Sequence, residues 1–170
     1  ILWDLDHTVI DSSHRQCTLP NGNLDLAHWK ENCTPEKIAR DSVLPLAVKM
    51  RQTVVNNTQA ICTARVMSAA DVRFLKLHNL PYHALMSRAP DDSRGDAEYK
   101  YSKIWNYLHS LKIPRARWGA MVRLYDDNDS VLEMARSELR IQTVDAKLFH
   151  PNHSLKQNRT YQVGIVLADK

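Results

Sequence analysis

An α/β fold, with a parallel sheet covered by helices on both faces, is the architecture that this 170-residue sequence predicts. Three observations carry that expectation. Short apolar runs alternate with amphipathic helical segments along most of the chain. The apolar runs are nearly continuous, as strands buried on both faces require. Finally, each run closes on a carboxylate or a hydroxyl, and open parallel sheets bind ligands outside the carboxyl ends of their strands.

The elements follow in order. Ile1-Leu2-Trp3 reads as a buried strand running into Asp4-Leu5-Asp6-His7-Thr8. From Asp11 to about Pro35 the chain turns polar, with a turn at Pro20-Asn21-Gly22-Asn23, and is expected to be an insertion or irregular loop. Thr34-Pro35 starts a helix with Thr as N-cap and Pro at the first helical position. A second helix spans Pro45 to Val54, and Gln59 to Thr63 is a strand. Ser68 begins a helix that reaches Asn79, and Ala84-Leu85-Met86 is a brief strand. Ala97 to Leu111 is helical, Val122 to Tyr125 is a strand leading into Asp126-Asp127, Ser130 to Leu139 is helical, and Ile141 to Val144 is a strand. The segment from His150 to Arg159 is polar and basic, whereas Tyr161 to Leu167 is apolar enough for an edge strand or a contact with a partner chain.

Composition narrows the class. With 44% hydrophobic and 25% charged residues and 4 glycines, the chain is neither collagen-like, low-complexity nor acidic and disordered. A formal charge of +4 suits a phosphate or nucleic-acid partner without demanding one. Cys17, Cys33 and Cys62 form no disulfide framework, which points to a reducing, cytoplasmic setting. No apolar stretch approaches the ~20 residues of a membrane helix, so no membrane partner is expected. One domain is expected: a core over about 1–146, a small cap or insertion within 9–44, and a tail over 147–170.

The chemistry concentrates at strand ends. Asp4 and Asp6 stand one residue apart where a strand gives way to a turn, so both can serve one site: one as nucleophile, the other as acid and base. Asp126 and Asp127 repeat this context, and carboxylates crowded at one sheet edge call for a hard cation such as magnesium. The ordinary readings are a solvated acidic turn and a helix-capping turn. Thr63 followed by Arg65 can hold phosphate oxygens or be a cap with a surface arginine. Lys100, Lys103 and Arg94 are either solvated or set against the acidic cluster. His14, Cys17, His28 and Cys33 share the polar segment, but their spacings match no common zinc pattern. Trp3, Trp29, Trp105 and Trp118 read as packing residues rather than base-stacking platforms.

In this order Asp4-Leu5-Asp6-His7-Thr8, Thr63, Lys100 and Asp126-Asp127 resemble the four motifs of the haloacid dehalogenase superfamily, Rossmann-like phosphotransferases with an aspartate nucleophile. The resemblance covers about Ile1 to Ala146 and departs at His7, where many members have Gly. Smaller features are similar to the 3'-phosphatase domain of phage-type polynucleotide kinase/phosphatases: Trp29, Pro45-Leu46, Thr63-Ala64-Arg65, Asp92-Ser93-Arg94 before Lys100, and Asp126-Asp127 followed by Val131, Glu133 and Met134. The phosphate loop Gly-x4-Gly-Lys-Ser/Thr of the kinase half does not occur in these residues.

The resemblance implies Asp4 as nucleophile, Asp6 as general acid and base, and Thr63 and Lys100 as phosphate-holding residues, with Lys103 the fallback. It places magnesium among Asp4, the backbone carbonyl of Asp6 and Asp127, with Asp126 behind, and assigns Arg65 and Arg94 to substrate beyond its phosphate. A small or absent cap implies a macromolecular end, so the expected activity is removal of 3'-phosphates from DNA or RNA. The alternatives are a mononucleotide phosphatase and a non-catalytic module that binds phosphate ends.

Overall fold

The strands alternate strictly in which face each side chain serves. In the computed structural model, which describes residues 1–22 and 24–150, Leu2, Cys62 and Leu124 join one core cluster, whereas Trp3, Ile61 and Tyr125 join another. The elements are β1 (Leu2–Trp3), β2 (Ile10–Asp11), α1 (Leu26–Glu31), α2 (Pro35–Ile38), β3 (Ser42–Val43), α3 (Leu46–Thr53) and β4 (Ala60–Thr63). They continue as α4 (Ala69–Leu77), β5 (Ala84–Ser87), α5 (Asp96–Ser110), α6 (Trp118–Met121), β6 (Arg123–Asp126), α7 (Asp129–Met134) and β7 (Gln142–Asp145). Leu46, Met50, Phe74 and Leu75 of α3 and α4 cover the Trp3 face, while Ile104, Leu108, Val131 and Met134 of α5 and α7 cover the Leu2 face.

All pairings in the five-stranded sheet are parallel, in the order β5-β4-β1-β6-β7. The chain builds outward from β1 through β4 to β5, then returns to the other side of β1 for β6 and β7. That reversal puts the switch point at β1, and the residues that leave β1, β4 and β6 share its crevice. Every residue of β1 and β4 is buried, whereas β5 and β7 at the edges are half-buried throughout. Trp3 stacks on Tyr125 across the β1–β6 pairing with ring centroids 4.1 Å apart. Its indole N–H donates to Gln59 Oε1 at 2.9 Å, and Gln59, fully buried, spends its own amide on Met50 O at 3.0 Å and Pro81 O at 3.3 Å.

The polar segment is more ordered than an irregular loop. Strands β2 and β3 pair antiparallel, and residues 12–41 are spliced between them, carrying a 3-10 turn at Ser13–Arg15 and helices α1 and α2. The α1 sequence carries no buried residue, so it shows no apolar stripe that periodicity detects. The expected turn is there: Gly22 N–H donates to Leu19 O at 2.9 Å with Gly22 at φ +85°, a conformation free of cost only for glycine. Thr34 caps α2, and Ser68 with Asp71 forms a capping box on α4. Helix α7 continues as a π-helical stretch over Ala135–Leu139, which ends at Arg140 in the left-handed region. Helix α6 at Trp118–Met121 is an element the sequence reading does not anticipate, and the other strands and helices lie within a residue or two of their expected bounds. The segment after His150, including the apolar stretch at Tyr161 to Leu167, lies outside the described residues.

Truncating Trp3 to Ala removes the stack and leaves the Gln59 carbonyl with the Thr53 hydroxyl at 2.7 Å as its one side-chain partner, and is expected to cost about 3–5 kcal/mol, read from the urea unfolding midpoint.

Candidate active site

The alternation of the strands decides which carboxylates meet. Leu2 faces α5, so two residues on Asp4 faces it as well, and its backbone N–H prolongs the ladder by donating to Tyr125 O at 2.9 Å. Leu124 and Asp126 repeat the relation on β6. Helix α5 sends Ile104 and Leu108 into the same core, and Lys100 sits one turn before them on that stripe. Its ammonium, 2% exposed, lies 2.8 Å from Asp4 Oδ1 and 2.7 Å from Asp126 Oδ2. Lys103, three residues along, lies off the stripe, with its Nζ 5.6 Å from the Tyr99 ring centroid.

Burial pushes the Asp4 carboxyl well above the usual carboxylate range; Lys100 opposes the shift, and Asp126 and Asp127 add to it. Burial and the neighbouring Asp126 raise Asp127 as well. Desolvation works against the Lys100 ammonium, but Asp4 and Asp126 outweigh it and hold the group charged. The second oxygen of Asp126 accepts the Asn128 N–H at 3.0 Å, so each of its oxygens has a partner. Asp4, Asp126 and Asp127 each offer a carboxylate oxygen within 4.8 Å of the others. A hard, oxygen-only donor set with surplus negative charge fits magnesium.

Asp6 turns away from this cluster. Both of its oxygens accept from Arg65, through Nε at 3.1 Å and through Nη2, and Ser12 Oγ donates to Oδ1 at 2.5 Å. Burial alone would raise the Asp6 carboxyl, but the Arg65 charge and these hydrogen bonds outweigh it and hold Asp6 ionised. Arg65 is 3% exposed and also binds Asp71 Oδ1 at 2.6 Å, with Asp41 Oδ2 at 3.5 Å. Expected at the substrate, its guanidinium is instead committed to protein carboxylates. Asp41 in turn takes a bidentate pair from Arg15 at 2.9 and 2.8 Å, and the Arg15 guanidinium lies 4.2 Å from the Trp29 ring centroid. The insertion therefore meets Arg65, in the loop after β4, through the buried carboxylate of Asp41, which no periodicity or motif reveals.

Thr63 closes β4 with 1% exposure, and its Oγ1 accepts the Arg65 N–H at 3.1 Å, leaving its own proton for a phosphate oxygen. Arg94 lies at the surface, held by Asp92 at 3.0 and 2.6 Å and by Ser102 at 2.8 Å. His7 adopts φ 55°, which explains why Gly is common at this position in the resembling family. Among the described residues, His14, Cys17, His28 and Cys33 bring no three ligand atoms together for an ion. His14 binds Asp41 at 2.9 Å, and Cys33 Sγ accepts from Arg15 at 3.1 Å. Trp3 and Trp118 are fully buried core residues, as expected. No described helix is long and apolar enough to cross a membrane.

Comparison with known proteins places this geometry. Residues 1–165 match the family described as Bacteriophage T5 5'-deoxynucleotidase. The 5'-deoxynucleotidase of Escherichia phage T5 is 44% identical over 170 positions, covering 86% of this chain, and the chain spans 66% of that relative's length. A chain of the Pnkp1/Rnl/Hen1 RNA repair complex superposes with a TM-score of 0.54 at 20% identity, over 85% of this chain and 40% of its own. A haloacid dehalogenase-like hydrolase from Streptococcus pneumoniae superposes with a TM-score of 0.57 at 14% identity, over 85% of this chain and 82% of its own. The fold is thus that of the haloacid dehalogenase superfamily.

Two outcomes follow from the site. Because Asp4 and Asp127 keep their protons above the usual range, protons compete with a cation, so magnesium affinity is expected to fall as pH drops through that range. Calorimetry in two buffers of unlike ionisation enthalpy checks this; a pH-independent affinity would contradict it. Replacing Asp41 with Asn leaves Arg15 buried and unpaired, with an expected loss of about 3–5 kcal/mol in denaturant unfolding.

Proposed function

This chain belongs to the Bacteriophage T5 5'-deoxynucleotidase family, and on that premise we propose that it is a magnesium-dependent phosphatase that removes the 5'-phosphate of deoxynucleoside monophosphates through an aspartyl-phosphate. The observation that carries the chemistry is the buried Lys100 ammonium joining Asp4 to Asp126 at the carboxyl ends of adjacent strands.

Asp4 is the nucleophile: its carboxylate oxygen forms a bond to phosphorus while the bond from phosphorus to the sugar oxygen breaks. Asp6 gives that oxygen its proton, then removes one from the water that attacks the aspartyl-phosphate, freeing Asp4 and inorganic phosphate. Arg65 holds Asp6 ionised in the resting site, which suits the second step. An arriving phosphate dianion favours the protonated form needed for the first. The Thr63 hydroxyl and the Lys100 ammonium hold the transferring oxygens, where negative charge builds in the transition state. Asp4 and Asp127 would hold magnesium, with Asp126 fixing Lys100 behind them, and its charge would screen the anionic nucleophile from the anionic substrate. Residues 12–41 act as a small cap.

The expected 3'-phosphatase activity would share each of these steps. Two findings favour the nucleotidase: the family match, and the commitment of Arg65 to Asp6 and Asp71 rather than to a nucleic-acid strand. Phosphate release with magnesium from a 5'-deoxynucleotide, a 3'-deoxynucleotide and a 3'-phosphorylated oligonucleotide tests the choice. The 5'-deoxynucleotide is expected to turn over fastest. A preference for the oligonucleotide would restore the 3'-phosphatase reading, and no release from any substrate would leave a binding module. Asp4→Asn is expected to lower turnover by about 10³-fold or more with the fold retained; since ionised Asp4 is disfavoured in the folded state, the same change should raise the melting temperature of the metal-free protein at neutral pH.

A further inference from the structure

We infer that Ser12 and Gln16, which belong to none of the four motifs, are positioning residues that fix the Asp6 carboxylate; this rests on the reading of Asp6 as acid and base. Asp6 lies beyond the end of β1, where an isolated bridge to Ile10, and not the five-stranded sheet, holds its backbone. Arg65 grips both carboxylate oxygens from one side. A second grip comes from the insertion. Ser12, fully buried just past β2, donates to Asp6 Oδ1 at 2.5 Å. Gln16 Nε2 donates to Ser12 Oγ at 3.2 Å, and Gln16 Oε1 lies 2.7 Å from His7 Nε2.

These contacts have only one direction. An amide oxygen only accepts, so His7 Nε2 carries the proton in its bond to Gln16. The Gln16 amide N–H occupies an acceptor site on Ser12, and the single hydroxyl proton of Ser12 goes to Asp6. The chain of donors runs His7 to Gln16 to Ser12 to Asp6, and it closes on itself because His7 follows Asp6 in the backbone. Glycine would sit more easily in the left-handed conformation at His7 but would leave Gln16 without its anchor. Two grips from different directions fix the rotation of the carboxylate, which must meet the leaving oxygen in one step and water in the next.

The leaving group separates this role from a merely structural one. p-Nitrophenolate departs without a proton, whereas the sugar alkoxide of a deoxynucleotide needs one. The ratio kcat/KM reports only the steps through formation of the aspartyl-phosphate, so it registers Asp6 as acid for the nucleotide but not for p-nitrophenyl phosphate. Ser12→Ala and Gln16→Met are compared with wild type and with Asp6→Asn, with magnesium present and urea midpoints showing that each variant folds. For both variants kcat/KM on the 5'-deoxynucleotide is expected to fall about tenfold or more, with less than about a twofold change on p-nitrophenyl phosphate. On both substrates kcat is expected to fall, because activation of water by Asp6 is common to both. Asp6→Asn is expected to show the same pattern more strongly. Equal losses of kcat/KM on the two substrates, no loss of it, or a gain in the Ser12 and Gln16 variants would overturn the positioning role while the Asp6 pattern stood. If Asp6→Asn itself shows no dependence on the leaving group, the reading of the reaction falls, and this inference with it.

Discussion

A single ammonium group holds two strand ends to one another. Asp4, Asp126 and Asp127 converge because β1 and β6 are neighbours in a parallel sheet, and carboxylates brought this close out of water repel strongly. Lys100 offsets part of that repulsion from α5, and Asp126 gives one oxygen to it and the other to the Asn128 N–H. With all three carboxylates ionised, two negative charges remain uncompensated. That surplus is the electrostatic demand a divalent cation would meet; burial first, and the neighbouring carboxylates after it, raise the affinity of Asp4 and Asp127 for protons. The packing on this face serves the same end: Ile104 and Leu108 seat α5 against the sheet, and their register places Lys100 over the crevice.

A second charged cluster lies beside the first and has a different logic. Asp6, Asp41 and Asp71 share the guanidiniums of Arg15 and Arg65, with His14 and Trp29 at the margin. Buried ion pairs add little net stability once desolvation is counted, but breaking one leaves an exposed liability in the interior. Their effect here is one of place. The insertion meets Arg65 at Asp41 and Asp6 at Ser12, so the Asp6 carboxylate is held both by Arg65, far from it in sequence, and by the start of the insertion. Separating the clusters keeps Asp4 close to proton uptake and Asp6 ionised, although the two lie one residue apart.

Much of this was legible in particular residues. The apolar runs closing on Asp4, Thr63 and Asp126 pointed to the strand ends that form the crevice, because a parallel sheet buried on both faces leaves only those ends for polar chemistry. The choice between Lys100 and Lys103 was also within reach, since only Lys100 shares the i, i+4, i+8 stripe of Ile104 and Leu108. The strands β2 and β3 were not, being two residues each and paired across thirty intervening positions. Helix α1, with no buried face, left no periodic trace. Arg65 looked like a ligand for substrate because an arginine beside a phosphate-holding Thr invites that role; its partners Asp41 and Asp71 come from distant segments.

What the sequence determined by itself was the alternation of strand and helix, the candidate side chains for the site and the class of chemistry, that of a phosphatase. Those follow from local pattern and from residue type. The tertiary structure alone decided which charges meet: that Lys100 bridges Asp4 and Asp126, that Arg65 takes Asp6, and that Ser12 and Gln16 complete its hold. The reason is physical. Periodicity reports which face a side chain occupies, whereas the partner of a buried charge depends on strand order and on the docking of the insertion, which no local pattern encodes.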